Sequence, residues 1–295
     1  MRLASVNLLH GLSLDDGRVE AGRLRAAARS LAADVLGLQE VDRGQPRSHR
    51  LDLTAEVAAA TGAVAWRFEP AIIGTPGGRW RPAVDGDGGA CAAGPTDRTG
   101  AGAAGGAGAT DGADAADGAV QAYGVGLVSR LPVRRWVTVR LPAAPVRSPV
   151  PVPGARRRML WLPDEPRVAL GAVVDTGAAR FTVVTTHLSF VPGWNARQLR
   201  RLVRALRRQP EPLPTPILLL GDLNLPGRLP ALLSGWRPLA PEVRTYPAPQ
   251  PRWQLDHLLA HGPAPTVTAA RAEQLPVSDH RALVVDLEVP ARPPG

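Results

Sequence analysis

The sequence predicts an α/β protein of one large domain or two small ones, and three observations lead there. Short apolar runs bounded by turn formers recur along the chain and read as strands. Between them lie stretches whose apolar residues recur at helical spacing. A chain of 295 residues is also long enough to bury a substantial core. No apolar run reaches the roughly 18 to 20 residues that a bilayer span requires.

The elements follow in order. Met1–Val6 reads as a strand, and residues from about Glu20 to Ala33 as a helix with Leu24, Ala27, Ala28 and Leu31 on one face. Val35–Gln39 returns as a strand, and a second helix covers about Asp52–Ala60. Residues from about 82 to 119 are small, polar and without period, which predicts a flexible Gly/Ala-rich insert that buries too little to offset its ordering entropy. "AYGVGLVSRLPVRRWVTVRL" gives two strands about a turn, and a Pro-rich connection follows with Arg156, Arg157 and Arg158. "RVALGAVVDTGAARFTVVTTHLSF" reads as a hairpin about Asp175–Ala179. A helix over about Asn195–Arg208 turns Leu199, Leu202, Val203 and Leu206 to one side and Arg200, Arg204, Arg207 and Arg208 to a solvated one. In "PILLLGDLNLP", Ile217–Leu220 is a buried strand. "LDHLLA" and "ALVVDLEV" are the closing strands of a domain spanning 1–290, with residues 291–295 a disordered tail.

The chain carries a net charge of +9, and all 35 of its basic side chains are Arg. Such a balance suits an anionic partner. The absence of Lys together with abundant Ala, Gly and Pro reads equally as codon bias, so the charge alone selects no substrate. The single Cys, Cys91, excludes an intrachain disulfide framework and makes a cytoplasmic location the expectation. The N-terminus lacks the apolar stretch of a secretory signal, and no stable membrane insertion is expected.

The polar residues at the strand ends carry the chemistry. Asn7, Glu40, His187, Asp222 and Asn224 stand where strand-like runs finish, whereas Asp256, Asp279 and His280 stand where the closing strands begin. Antiparallel neighbours bring the end of one strand beside the start of the next, so one sheet edge can gather all of them. The Asp222/Asn224 pair alone reads equally as a turn cap. Glu40, Asp222 and Asp279, with the amide oxygens of Asn7 and Asn224, are hard oxygen ligands of the kind Mg²⁺ or Mn²⁺ takes, rather than zinc. A His beside such a site moves protons or binds a charged oxygen, and an Asp such as Asp256 fixes its ring. The set fits hydrolysis of a phosphate ester by water. A Gly-rich phosphate cradle with Lys, which nucleotide-driven phosphoryl transfer would use, is missing.

"VNLLHG", "LGLQEVD", "TTHLSF", "GDLN", "LDHLL" and "SDHRAL", in that order, resemble the endonuclease/exonuclease/phosphatase superfamily, which includes deoxyribonuclease I, abasic-site endonucleases, sphingomyelinases and inositol-polyphosphate 5-phosphatases. The resemblance runs from about Met1 to Val289 outside the insert. It implies a four-layer α/β sandwich, two packed mixed β-sheets flanked by helices, and a divalent-metal phosphoesterase. Glu40 matches the principal metal carboxylate, and Asn7 and Asp279 match positions close to that metal. Asp222 and Asn224 match the pair that activates water and holds the scissile phosphate. His280 matches the His that contacts the phosphate, Asp256 its orienting partner, and His187 the His of the deoxyribonuclease I and sphingomyelinase branches. The abasic-site branch usually has Tyr there, which argues against that activity. "LQEVDRGQPRS", "HLSFVPGWNARQL" and "TYPAPQPRWQLDHLL" look most like a bacterial group of metal-dependent hydrolases whose substrate the motifs leave open.

The expectation is therefore a monomeric Mg²⁺- or Mn²⁺-dependent phosphoesterase acting on a phosphodiester, with nucleic acid a candidate partner. A lipid or inositol-phosphate phosphoesterase is the alternative, and a catalytically silent phospho-ligand binding module is the alternative of another class. Arg130 and Arg252 are candidate phosphate clamps, each with a plain surface role as its competitor. His257, one residue past Asp256 along a strand, should face the other side of its sheet. His10, His49 and His261 are read as packing residues. Trp194 either lines a groove or packs under a loop.

Overall fold

The computed structural model describes residues 1–88, 120–151 and 159–288. Its first strands are β1 (Arg2–Asn7), β2 (Val35–Arg43), β3 (Ala65–Gly74), β4 (Trp80–Pro82) and β5 (Ala122–Ser129). Next come β6 (Val133–Leu141), β7 (Arg147–Pro151), β8 (Met159–Pro163), β9 (Arg167–Asp175) and β10 (Arg180–His187). The last are β11 (Ile217–Asp222), β12 (Arg237–Pro238), β13 (Asp256–His261), β14 (Thr266–Glu273) and β15 (Ala282–Glu288). The helices are α1 (Ala21–Ser30), α2 (Leu53–Thr61), α3 (Trp194–Arg207) and α4 (Leu229–Ser234).

A seven-stranded sheet runs β14-β15-β1-β2-β5-β3-β4 and a six-stranded sheet β12-β13-β11-β10-β9-β6, while β7 and β8 form a separate ribbon. Both large sheets are mixed, with β1–β2 and β10–β11 parallel and their other pairs antiparallel. Strand alternation builds the layers. Leu3, Val35 and Leu127 meet Leu170, Val183 and Leu218 between the sheets. On the outer face of the first sheet, Val6, Leu36 and Leu38 pack on Leu24, Ala27 and Ala28 of α1 and on Leu31 just after it. On the outer face of the second, Val184, Leu219 and Leu259 pack on Leu199, Leu202 and Leu206 of α3. The four-layer sandwich follows from these three apolar interfaces. Each fully buried Leu or Phe in them contributes about 1.5–3 kcal/mol by leaving water.

Local chemistry bounds the helices. Asp52 caps α2 by accepting from Ala55 N at 3.0 Å, and Gly62 ends it in the left-handed region. The exposed face of α3 carries Arg200, Arg204 and Arg207, as its periodicity predicts.

Seven elements escape sequence patterning: β3, β4, β12, β14, α4, and β7 and β8, which form a ribbon where the sequence reads as a Pro-rich connection. β14 is a sheet-edge strand with mostly exposed or half-buried residues and no alternation. β3 is interrupted at Pro70 by a bulge against β5. The six-residue α4 is too short for a helical period to show. Of the predicted insert, 89–119 lie outside the described residues. Residues 82–88 are held to the body: Ala83 N donates to Ala71 O at 3.0 Å, and Asp87 binds Arg81 and Val84 N. Cys91, Arg156, Arg157, Arg158 and residues 291–295 lie outside the described residues. Among the described residues no helix is long and apolar enough to cross a membrane.

The topology positions the site. The parallel pairs align the ends of β1 with β2 and of β10 with β11, setting Asn7 opposite Gln39 and His187 opposite Asp222. β13 runs antiparallel to β11, so its first residue, Asp256, pairs with the last of β11, Asp222. Gly221 is required between them. Its φ is +145°, and a Cβ there would stand 2.0 Å from Thr186 O, a backbone atom.

Candidate active site

Glu40, His187, Asp222, Asn224, Asp279 and His280 line one pocket of about 380 Å³ at this edge of the sandwich. Glu40 reaches it through a bulge: the register of β2 against β5 shifts between Leu38 and Val41, and Glu40 has φ +53°. That conformation is costly for a side chain with a Cβ, and such costs collect at functional sites. Next to it, Gln39 is fully buried and bonds to Ser5 Oγ (3.3 Å) and Thr185 Oγ1 (2.9 Å), tying the two sheets together behind the pocket.

Asn7 links the carboxylates. Its Nδ2 donates to Glu40 Oε1 at 3.1 Å and to Asp222 Oδ2 at 3.2 Å, while its Oδ1 accepts from Leu9 N at 3.0 Å. The amide oxygen that was expected to face a cation is thus turned to the backbone, because two carboxylates nearby require a donor.

Asp222 and Asn224 satisfy both readings of "GDLN". Asn224 N donates to Asp222 Oδ1 at 2.9 Å, a turn closed by a side chain, and both residues line the pocket. Asn224 Nδ2 lies 3.0 Å from Leu188 O and 3.2 Å from His187 Nε2. Burial pushes the Asp222 carboxyl up to about 7 against the opposing pull of His280, with Asp256 and Glu40 adding to the rise. Desolvation likewise raises Glu40; Asn7 opposes it and Asp279 reinforces it.

His280 is held by Asp256, whose Oδ2 lies 2.8 Å from Nδ1. Its other nitrogen, Nε2, stands 3.7 Å from Asp222 Oδ2. Burial alone would favour the neutral ring, but Asp256, Asp222 and Asp279 outweigh it and lift the imidazole to about 10. The ring is therefore cationic, with Nδ1–H donating to Asp256. Ser278 Oγ accepts from His280 N at 3.0 Å and fixes the turn, and Tyr246 packs on the ring at 4.7 Å between centroids. His187 is the opposite case: burial, then Arg167, push it well below its ordinary value. Two donors face it, Arg167 Nη1 at 3.5 Å from Nδ1 and Asn224 Nδ2 at 3.2 Å from Nε2, so the neutral ring can accept from only one at a time.

Arg167 lines the pocket and was not singled out from the sequence. It is buried, its Nε has no hydrogen-bond partner among the described residues, and Asp164 is 3.8 Å from Nη2. The strand-end rule applied to β9 would have found it, because Arg167 opens a strand antiparallel to β10. Tyr246 sits on a loop and left no such signal.

Two expected residues are not brought to the pocket. Arg130 is exposed beyond β5, whose end pairs with Val35, five residues before Glu40 along β2 and so about 17 Å away. Arg252 is exposed and lines a neighbouring cavity instead. His257 points away from the pocket to Leu225 O at 2.8 Å, and Trp194 donates to Pro142 O at 3.0 Å under a loop. Among the described residues no three His, Cys, Asp or Glu side chains form a ready metal cluster. The donors still fit a hard divalent cation: Glu40 is desolvated, has one hydrogen bond and stands near a second carboxylate, Asp279. A hard divalent cation takes one or two carboxylates and can complete its shell with water.

The model of the Endonuclease/Exonuclease/phosphatase family matches residues 4–280. The chain belongs to that family. Its members are hydrolases of phosphate esters and generally use divalent metals, which supports phosphoesterase activity here. An endonuclease/exonuclease/phosphatase from Beutenbergia cavernae DSM 12333 superposes with a TM-score of 0.58 at 22% identity, covering 98% of this chain and 71% of that one. The mannosyl-6-phosphatase of Bacteroides thetaiotaomicron VPI-5482 gives 0.56 at 16% identity, covering 98% and 100%. D. rerio TDP2, complexed with a single-strand DNA product, gives 0.55 at 15%, covering 98% and 99%. These likenesses establish the deoxyribonuclease I-like fold. No curated protein matches the sequence.

Proposed function

We propose that this family member is a divalent-metal-dependent phosphoesterase that hydrolyses a phosphodiester by in-line attack of water. The observation that carries the reading is the buried relay Asp256–His280–Asp222: a cationic imidazole held at 2.8 Å by one carboxylate and facing another across the pocket. Glu40 and Asp279 would hold the cation, Mg²⁺ or Mn²⁺, with Asn7 acting through the carboxylates it binds. Such an ion polarises a phosphoryl oxygen when bound.

The protein's own groups supply the rest. Asp222, held by Asn224 N and Asn7 Nδ2, accepts the proton of the attacking water, and its raised pKa places the base near neutral pH. His280 donates from Nε2 to the phosphoryl oxygens as negative charge develops, while Asp256 keeps Nδ1 protonated and the ring in place. Asn224 and neutral His187 position the phosphate. Arg167, whose Nε has no partner among the described residues, adds a fixed positive charge to the pocket wall.

The substrate reading leans to a nuclease-type or generic phosphodiesterase working as a cytoplasmic monomer. The net charge of +9 and the DNA product bound by the TDP2 relative support it, whereas the mannosyl-6-phosphatase relative favours a monoester. The experiment is a panel of plasmid DNA, RNA, an aryl phosphodiester, an aryl phosphomonoester, sphingomyelin and inositol phosphates, each with Mg²⁺, Mn²⁺ and EDTA. Turnover that needs added metal and is lost in His280→Ala supports the proposal. Turnover of any of these esters at full rate in His280→Ala would refute the mechanism.

A further inference from the structure

We propose that Tyr123 and Tyr246 are substrate-binding residues, two neutral phenol donors that hold oxygens of the phosphate group in the catalytic pocket. The chain has only two tyrosines, and both line that one pocket. They arrive from distant parts of the fold. Tyr123 lies on β5, opposite Asp42 and beside the bulge that carries Glu40, and Tyr246 lies on the loop that leads into β13. Neither hydroxyl has a hydrogen bond to a described residue. Neither oxygen is among the sealed-off polar atoms of the interior, so both open on the pocket.

That arrangement is costly unless a ligand completes it. A buried phenol normally finds a hydrogen-bond partner, and Tyr123 is only 7% exposed. Phe would fill the same space without an unmet hydroxyl. The rings, by contrast, are well anchored. The Arg47 guanidinium sits 5.6 Å from the centre of the Tyr123 ring, and Asp42 clamps Arg47 through two bonds of 2.8 Å. Tyr246 lies against the His280 ring, and its backbone N–H and C=O are both tied to Trp253. Rigid rings with free hydroxyls are donors set in place before the ligand arrives, which lowers the ordering cost of binding.

The surroundings explain why the donor is a phenol. Burial, then Glu40, hold the Tyr123 hydroxyl well above its ordinary value, and burial with Asp279, Asp222 and Glu40 raises that of Tyr246. Both stay protonated and able to donate. An arginine in either place would pair with those carboxylates. A phenol donates to a phosphoryl oxygen and leaves the carboxylates free for a cation. Tyr246, packed on His280, serves the oxygens that His280 meets. Tyr123, which feels Glu40 and Arg167, serves an oxygen on the side of the cation.

Only the step from bound phosphate to substrate rests on the phosphoesterase reading; the two donors are tested without turnover. With two tyrosines, labelling Cζ with ¹³C gives a two-line spectrum, assigned with Tyr123→Phe and Tyr246→Phe. The probe is inorganic phosphate, titrated into the full chain with and without Mg²⁺. In at least one of the two conditions both lines should move and saturate together. Loss of one hydrogen bond to a charged oxygen should lower phosphate affinity, and kcat/KM on an aryl phosphodiester, by about ten- to 150-fold in each variant. No bond within the protein is lost, so each variant should melt at or above the temperature of the parent. Lines that stay in place at every phosphate concentration, parental affinity and rate in both variants, or melting temperatures lowered by several degrees in both would overturn the proposal. Lines that move in a parent that hydrolyses no ester would leave the donors standing and remove the phosphoesterase reading instead.

Discussion

Asp256→Asn is the sharpest test of the relay. The side chain is fully buried and its Oδ2 makes the 2.8 Å bond to His280 Nδ1. Asn is nearly isosteric and removes the charge while leaving the ring room to sit. A hydrogen bond assisted by charge contributes about 1.5–3 kcal/mol, and a tenfold rate change corresponds to about 1.4 kcal/mol. The expected loss in kcat is therefore about 10- to 150-fold, with little change in KM if His280 acts mainly on the transition state. Removing one charge of this buried pair should also lower stability by about 3 kcal/mol, the low end because Asp222 and Asp279 still face the imidazolium. The assay is steady-state hydrolysis of an aryl phosphodiester with saturating Mn²⁺, together with imidazole ¹⁵N shifts of His280. In a His280→Ala background the same substitution should cost almost nothing further. A kcat within threefold of the parent, or an equal loss in the His280→Ala background, would refute the relay.

Other expectations follow from particular contacts. EDTA should abolish turnover and Mg²⁺ or Mn²⁺ restore it; activity surviving exhaustive chelation would remove Glu40 and Asp279 from the metal role. Gly221→Ala should cost at least about 2 kcal/mol of stability and displace Asp222, since the new Cβ meets backbone at 2.0 Å and the φ is unfavourable; an unchanged melting curve counts against the register described. Arg167→Met should raise KM about tenfold or more if the guanidinium meets the phosphate, and an unaltered KM would assign it to packing. Burial depresses His257 below its ordinary 6.5, so protonation favours the unfolded chain. Its contribution to stability should be complete above about pH 6.5 and fade as pH falls, and His257→Gln should flatten that slope in urea melts recorded from pH 7.5 to 5.

The strand ends were legible because burial forces a choice. A run such as Ile217–Leu220 must be apolar on both faces between sheet and helix, so Asp222 at its exit stands out against it. The same contrast marks Glu40, His187 and Asp256. Arg167 carried the signal too, but at the opening of a strand, where a lone Arg resembles a surface residue. Arg130 shows the converse error: a strand-end position is informative only with its direction, and the end of β5 lies at the far edge. The bulge that turns Glu40 inward, and the donor-first orientation of Asn7, depend on atoms from distant segments. No local pattern encodes them.

Charge in the pocket explains why a metal and a fixed cation belong in the same proposal. The chain is basic overall, yet Glu40, Asp164, Glu165, Asp222 and Asp279 all line the pocket. Against them stand Arg167 and protonated His280, since His187 is held neutral. A phosphodiester anion entering this space meets a net negative field at short range, where screening by salt is weak. The surface arginines can raise its rate of approach but cannot offset carboxylates a few ångströms from the reacting atoms. A divalent ion, if held by Glu40 and Asp279 as proposed, would reverse the local sign, which predicts that substrate affinity itself, and not only turnover, requires the metal. Binding of a non-hydrolysable phosphorothioate diester should therefore strengthen at least tenfold with Mg²⁺ in an Asp222→Asn variant, and equal affinity with and without Mg²⁺ would show that the pocket needs no such reversal.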